Sequence, residues 1–298
     1  MTLDHQYFSE LWGGSEPTNE HAPGFWDNRA DDWAMLLSGD TAFRRSLDER
    51  TSQAASYLRA HSLLSAGSNV ADIGCGPGRF VAEFAKTAGH VLGIDISEKM
   101  IEHSKSYARA TGLCNTSYHA GDFKAVDIEA LGWVHKFDLV FSSITGAIGT
   151  MDALYKAMRM SRGWCFNSSF VRSFDELQTK LSRELFSIEP ASKPIYDGRW
   201  FYALFNLLWL EGYYPEVAYH KQNRRELVPI DDELIRYFTR IFSADHNENE
   251  EQTKEMIGNY LRANANSDGL IERYTESWYG FVLWNTKRDG NSYAGGAH

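Results

Sequence analysis

The chain is 298 residues long, 43% hydrophobic and 14% aromatic, with a formal net charge of −10. That length accommodates one large domain, or one domain with a substantial elaboration, around a sizeable core. The acidic balance argues against a binder of phosphate backbones, no apolar run is long enough to cross a membrane, and the start lacks the basic-then-apolar pattern of a secretory signal.

Residues 1–24 mix Gly, Pro, Asn, Glu and His, which reads as a loose arm with one short helix around Tyr7–Trp12. From Phe25 to His61 the spacing is helical, with Trp26, Arg29, Ala30 and Trp33 three and four apart. Gly39-Asp40 interrupts it, and Asp40 or Thr41 caps the second piece. Alternation then begins. Strands are expected at 69–73, 90–94, 116–120, 137–143 and 163–171. Between them the pattern predicts helices at 79–88, from the Ser97 cap to Thr111, and at 151–160, with a short helix or turn at 127–131. After Val171 the rhythm breaks. A helix is expected at 174–186, a loop at 189–197, an aromatic helix at 199–211, a strand at 217–227 and helices at 230–242 and 250–263. A last strand lies within 271–287, with Trp278, Gly280, Val282 and Trp284 on one face, and 291–298 read as a disordered tail.

The expected fold is α/β: a doubly wound, mostly parallel seven-stranded sheet with an N-terminal helical lid and a helical insertion before the last strand. Residues 1–66 would form the arm and lid. Residues 67–290 would form the cofactor-binding domain, with helical insertions at 174–211 and 230–265.

Val70-Ala-Asp-Ile-Gly-Cys-Gly-Pro-Gly-Arg-Phe80 carries the most information. An apolar run ends in an acid, glycine takes every second position, and a helix follows. Val91-Leu-Gly-Ile-Asp-Ile96 is a second short apolar run ending in an acid. This is the layout of a nucleoside-cofactor site at the carboxyl edge of a parallel sheet. Glycines allow a ligand to approach the backbone, and the next helix points its first amides at it. A dinucleotide loop places its third glycine three residues after the second. Here it comes two residues after, and Asp72 lies two residues before the first. A carboxylate so placed is a poor neighbour for a pyrophosphate but suits a cofactor bearing an ammonium and a sulfonium, which favours S-adenosylmethionine over NAD.

On these residues the chain resembles the class I S-adenosylmethionine-dependent methyltransferases, from Ser68 to Val171 and more weakly to the C-terminal strand. The resemblance implies that Asp72, Gly74 and Gly76 surround the methionine portion of the cofactor, Asp72 directly or through water, with Cys75 and Gly78 in the same site. Asp95 would accept from both ribose hydroxyls, as a carboxylate can, and Ile96 would pack on the adenine. Asp122, in Gly121-Asp122-Phe123, would accept from the adenine amino group, with Phe123 covering the ring. Helix or turn capping is the structural alternative for Asp95 and Asp122.

The fourth strand ends in Phe141-Ser142-Ser143-Ile144-Thr145-Gly146-Ala147, where the family presents the methyl group. It lacks the Asn/Asp-Pro-Pro-Tyr/Phe of enzymes that methylate exocyclic amines of bases or glutamine, which counts against nucleic-acid amino methylation. Ser142 is assigned to the cofactor and Ser143 to the acceptor, unless both simply end the strand. Gly24-Phe-Trp-Asp-Asn-Arg-Ala-Asp-Asp-Trp33 resembles a stretch that precedes the core in many small-molecule members, including quinone-pathway enzymes. By that likeness Arg29 and Trp33 reach the cofactor and Trp26 the acceptor; the alternative is a helix packed on the sheet edge by its tryptophans. Trp200 and Tyr202 are the further candidates for the acceptor wall.

Nine Trp, 15 Tyr and 17 Phe exceed the needs of one ordinary core, so an aromatic-lined acceptor pocket stands beside plain aromatic packing. Cys75, Cys114 and Cys165 form neither a metal pattern nor a disulfide framework, which fits a reducing, cytoplasmic setting without a metal. No catalytic base can be assigned, and direct displacement at a sulfonium methyl depends on alignment more than on acid–base groups. The expected function is methyl transfer from S-adenosylmethionine to a small, partly apolar molecule, giving S-adenosylhomocysteine, with no nucleic-acid partner. The alternatives are an NAD(P)-type oxidoreductase and a non-catalytic cofactor- or partner-binding module.

Overall fold

The computed structural model describes residues 3–13, 23–38, 42–188, 198–246 and 250–287. The caps proposed at Asp40 or Thr41, the 189–197 loop and the 291–298 tail lie outside them. Three helices come first, α1 (Leu3–Gly13), α2 (Pro23–Ser38) and α3 (Ala42–Ala60). Alternation follows: β1 (Asn69–Ile73), α4 (Arg79–Ala85), β2 (His90–Asp95), α5 (Glu98–Ala110), β3 (Thr116–Ala120), β4 (Phe137–Ser143), α6 (Met151–Met160) and β5 (Ser161–Asp175). The rest comprises α7 (Glu176–Lys180) with a π turn (Leu181–Leu185), α8 (Arg199–Leu210), β6 (Glu216–Pro229), α9 (Asp232–His246), α10 (Glu250–Ala263) and β7 (Leu270–Asn285).

The seven strands form one mostly parallel sheet in the order β3-β2-β1-β4-β5-β7-β6, with helices on both sides. β1 pairs in parallel with β2 and β4, β2 with β3, and β4 with β5. The chain order reverses at β1, so the crevice beyond its carboxyl end is the switch point where ligands enter open α/β sheets. β5 runs on to Asp175, so the expected 174–186 helix starts later and passes into the π turn. The 127–131 segment is a turn. Tyr279 to Trp284 is buried without a break, not on one face only. β7 lies between β5 and β6, and an inner strand covered on both faces needs no polar side.

Two compact units share the chain: residues 1–169, 198–220 and 280–298 form one, and 170–197 with 221–279 the other. In the first, Phe141 and Phe166 stack at 5.0 Å, Phe80 and Phe84 of α4 lie 4.8 Å from Phe141, and Phe281 and Tyr57 meet Phe166 from β7 and α3. α1 packs along α8. The second has its own core, in which Leu177, Leu181, Phe238, Phe242, Ile257 and Leu261 are buried. There Arg273 donates twice to Asp175 at 2.9 and 2.7 Å, and the other Asp175 oxygen caps α7 through the amides of Leu177 and Gln178.

Candidate cofactor site

Beyond Ile73 the chain turns through Gly74, Gly76 and Gly78, with φ of 73°, 53° and 82°, a backbone that favours glycine. The reasons differ along the loop. A Cβ on Gly74 would overlap Thr145 of the turn after β4, and one on Gly78 would overlap Ser104 of α5. At Gly76 a Cβ would meet nothing, so this stretch of backbone faces open space. The amides of Gly74 and Cys75 bond Ile94 at 2.8 and 3.0 Å, and the Gly76 amide donates to Asp95 Oδ2 at 2.7 Å.

Asp95 therefore serves the loop as well as the edge of β2. Its Oδ1 accepts from the Ser97 amide at 3.0 Å, and burial pushes its carboxyl up while the amides of Ser97 and Gly76 pull it back. Ser97 caps α5 as expected, accepting from the Met100 amide at 3.1 Å. Ile96 is half-buried beside it.

Asp72 differs in kind. It is 1% exposed, and Oδ2 is buried with no hydrogen-bond partner. Burial, and then the Asp95 charge, drive its carboxyl well above the ordinary carboxylate range. Cys75 is buried too, and burial followed by the two carboxylates pushes its thiol up, so it is no thiolate nucleophile. The register pairs Asp72 with Phe141 and Ser143 with Ser168, so Asp72, Ser143 and Ser168 share the face of the aromatic core. The hydroxyls of Ser143 and Ser168 are also buried without partners. Ser142 points to the other face, donating to the Phe166 carbonyl at 3.3 Å and accepting from Asn167 at 3.0 Å. Ile144, a β-branched residue, has φ 49° where the chain leaves β4, and such strain gathers at ligand sites.

The outer candidates are placed as follows. Asp122 is exposed in the turn after β3, its Oδ1 accepting from the Lys124 amide at 2.9 Å. Phe123 is 2% exposed, with the Lys156 ammonium 5.7 Å from its ring, so the ring faces the interior. Arg29 is exposed and lies 3.9 Å over Phe25 of its own helix. Trp26 and Trp33 are half-buried on α2, Trp26 edge-on to Phe25 at 5.2 Å. Trp200 meets Trp12 of α1 at 5.8 Å and Tyr202 meets Phe8 at 5.4 Å, which ties both to the α1–α8 packing and not to the loop.

Asp27 of α2 escaped sequence reasoning. Its Oδ1 accepts from Ser97 Oγ at 2.5 Å and from the Lys99 amide at 3.3 Å, which brings α2 to the start of α5 beside Asp95. It stands inside the Phe-Trp-Asp stretch already singled out, where a carboxylate two residues before Arg29 was the available signal. Ser168 was missed because a serine inside an apolar strand carries no pattern.

Residues 64–184 match the family model described as a methyltransferase domain. That stretch carries a methyltransferase domain. Among curated proteins the domain is similar to a 23S rRNA (uracil(1939)-C(5))-methyltransferase of Hahella chejuensis, 32% identical over 83 residues, covering 28% of this chain and 18% of that one. It is also similar to the phosphoethanolamine N-methyltransferase of Triticum aestivum, 31% identical over 135 residues, covering 43% and 24%. The chain spans only 18 to 35% of the length of the first curated relatives it matches. Magnesium protoporphyrin IX methyltransferase from Synechocystis PCC 6803, solved with bound SAH, shares the methyltransferase fold at a TM-score of 0.51, with 14% identity over 87% of this chain and 97% of that one. Among the described residues no helix is long and apolar enough to cross a membrane, and no His/Cys/Asp/Glu group is arranged to hold a metal.

Proposed function

We propose that the protein binds S-adenosylmethionine along the Gly74–Gly78 loop and transfers its methyl group to a small molecule. The observation that carries this reading is Asp72, a buried acid with an unpartnered oxygen beside a glycine loop that opens at Gly76. A desolvated carboxylate calls for a cationic group, and the cofactor brings an ammonium and a sulfonium. Asp95 has lone pairs left for the ribose hydroxyls after its two amide bonds, and Asp122 stands exposed at the edge of the next strand. When bound, the cofactor would supply an activated methyl group. Gly76, Asp72 and Asp95 hold and orient it, and the β4 exit at Ser143 lines the acceptor side. We further propose residues 1–66 as the cover of this site, because Asp27 anchors α2 beside Asp95.

A net charge of −10 supports a small acceptor over RNA, since a phosphate backbone demands a basic face. Calorimetric titration tests the cofactor: S-adenosylhomocysteine should bind, and tight NAD binding in its place would overturn the reading. Transfer of labelled methyl to the small-molecule fraction of a cell extract is the expected result for the acceptor. Transfer confined to the RNA fraction would overturn it.

A further inference from the structure

Among the described residues, the glycine-loop end of the sheet gathers three acids. Asp72 is 1% exposed with Oδ2 unpartnered, Asp95 stands on the next strand, and Asp27 reaches Asp95 from α2. The cations of the adjoining elements are turned elsewhere. Arg79 of α4 pairs with Asp48 of α3 and lies 4.7 Å over Tyr107, and Arg50 of α3 lies 5.8 Å over Phe80; Lys99 and His103 of α5 face Asp31 at 3.6 and 3.4 Å, and Arg29 of α2 lies 3.9 Å over Phe25. At this end β4 brings the hydroxyls of Ser142 and Ser143; its acid, Asp138, stands at the other end, held by Arg162 at 2.6 Å. In the loop the remaining titratable neighbour is Cys75, whose thiol burial keeps neutral.

Two neighbouring buried carboxylates do not both ionise without compensation. Here the compensation is unequal. Asp95 accepts two backbone amides, at 2.7 and 3.0 Å, and these favour its anion. Asp72 Oδ2 accepts none, so the proton belongs on Asp72.

We infer that Asp72 is a neutral carboxylic acid in the free protein near pH 7 and loses its proton when the ammonium of S-adenosylmethionine settles beside it, so that cofactor binding releases a proton. The inference rests on the cofactor proposed above. The acid O–H bond breaks, its proton passes to the solvent, and a carboxylate–ammonium pair takes its place. Cofactor affinity then rises with pH across the range where Asp72 is neutral in the free protein and the ligand amine is still charged.

Calorimetry with S-adenosylhomocysteine, in two buffers of different ionisation enthalpy, counts the protons. About one should be released per ligand bound, and Kd should tighten by up to about tenfold per pH unit between about pH 5.5 and 7, below the titration of the ligand amine. 5′-Methylthioadenosine, which lacks the amino-acid portion, should bind with no proton released. Asp72→Asn should abolish the release, flatten the pH dependence and weaken S-adenosylhomocysteine binding by about tenfold or more at pH 7. If that variant fails to fold, loss of a carboxylic-acid carbonyl band from the infrared spectrum of the wild type on ligand addition reports the same event. Binding of S-adenosylhomocysteine without net proton change would overturn the inference and leave the cofactor standing, as would undiminished release from Asp72→Asn. No binding of S-adenosylhomocysteine would overturn the cofactor and the inference together.

Discussion

Each unit of the chain buries an aspartate, and the two are treated in opposite ways. Asp175 receives two bonds from Arg273 and two backbone amides. The Arg273 guanidinium also lies 4.7 Å over Tyr237 and 5.3 Å over Phe238. Asp72 is deeper, has an oxygen with no partner and faces another acid. A buried acid that serves architecture comes with its counter-charge, while the role proposed for Asp72 has a ligand bring it.

Breaking the complete pair should give the largest effect. Arg273→Ala leaves Asp175 charged and buried, and the expected loss is about 3–5 kcal/mol of stability in urea unfolding; a loss near zero would mean that the pair is solvated. On the ligand side, Asp95→Ala should weaken S-adenosylhomocysteine binding by about 1–3 kcal/mol by calorimetry, through lost charged hydrogen bonds and a freed Gly76 amide. Unchanged affinity would remove Asp95 from the site.

Glu276 offers a gentler test of the paired pattern. Lys221 and Trp278 hold it, at 2.7 and 2.8 Å, and its carboxyl is drawn down to about 2. A lowered acid contributes stability above its ordinary range that is lost as pH falls toward 2. Its solvent contact keeps the contribution below about 1 kcal/mol. Glu276→Gln should remove this acid-side step when unfolding is followed by tryptophan fluorescence, and an identical step in the variant would assign it elsewhere.

The smallest stability effect belongs to Asp72→Asn measured at about pH 3, where the acid is neutral in the folded and the unfolded chain alike and the unfolding midpoint should be nearly unmoved. The sign of the wild-type pH dependence is opposite to that of Glu276. A raised acid contributes stability that is fully present below its unfolded value and is lost as pH rises through its folded value. Asp72→Asn should therefore gain on the wild type as pH rises from about 3 to 7, and a gap that does not change with pH would mean that the Asp72 carboxyl is not raised in the folded protein.

The first half of the chain was legible because its signals are local. β1, β3, β4 and α6 lie within their expected bounds, since short runs punctuated by glycine and by the Ser97 cap leave little choice. The later elements were found, but their edges moved, because β5 continues as strand into residues whose spacing also suits a helix. The turns at Gly74, Gly76 and Gly78 followed from their spacing, whereas the surroundings of the outer candidates did not. Whether Arg29 faces a ligand or Phe25 depends on rotamers, and whether Phe123 caps a base or fills a core depends on Lys156, thirty-odd positions away. The missing partner of Asp72 is a property of its surroundings and cannot be read from its own letter in the sequence.

The position of β7 has a consequence for synthesis. In the sheet it lies between β5 and β6, although it is the last of the seven to leave the ribosome. Until residues 270–285 emerge, β5 has an open hydrogen-bonding edge and β6 has no neighbour on that side. The nascent protein therefore carries an open strand edge from the completion of β5 until β7 emerges, when unpaired edges are prone to join other chains. A truncation that removes β7 should leave ribosome-bound chains that recruit chaperones and fail to become protease-resistant.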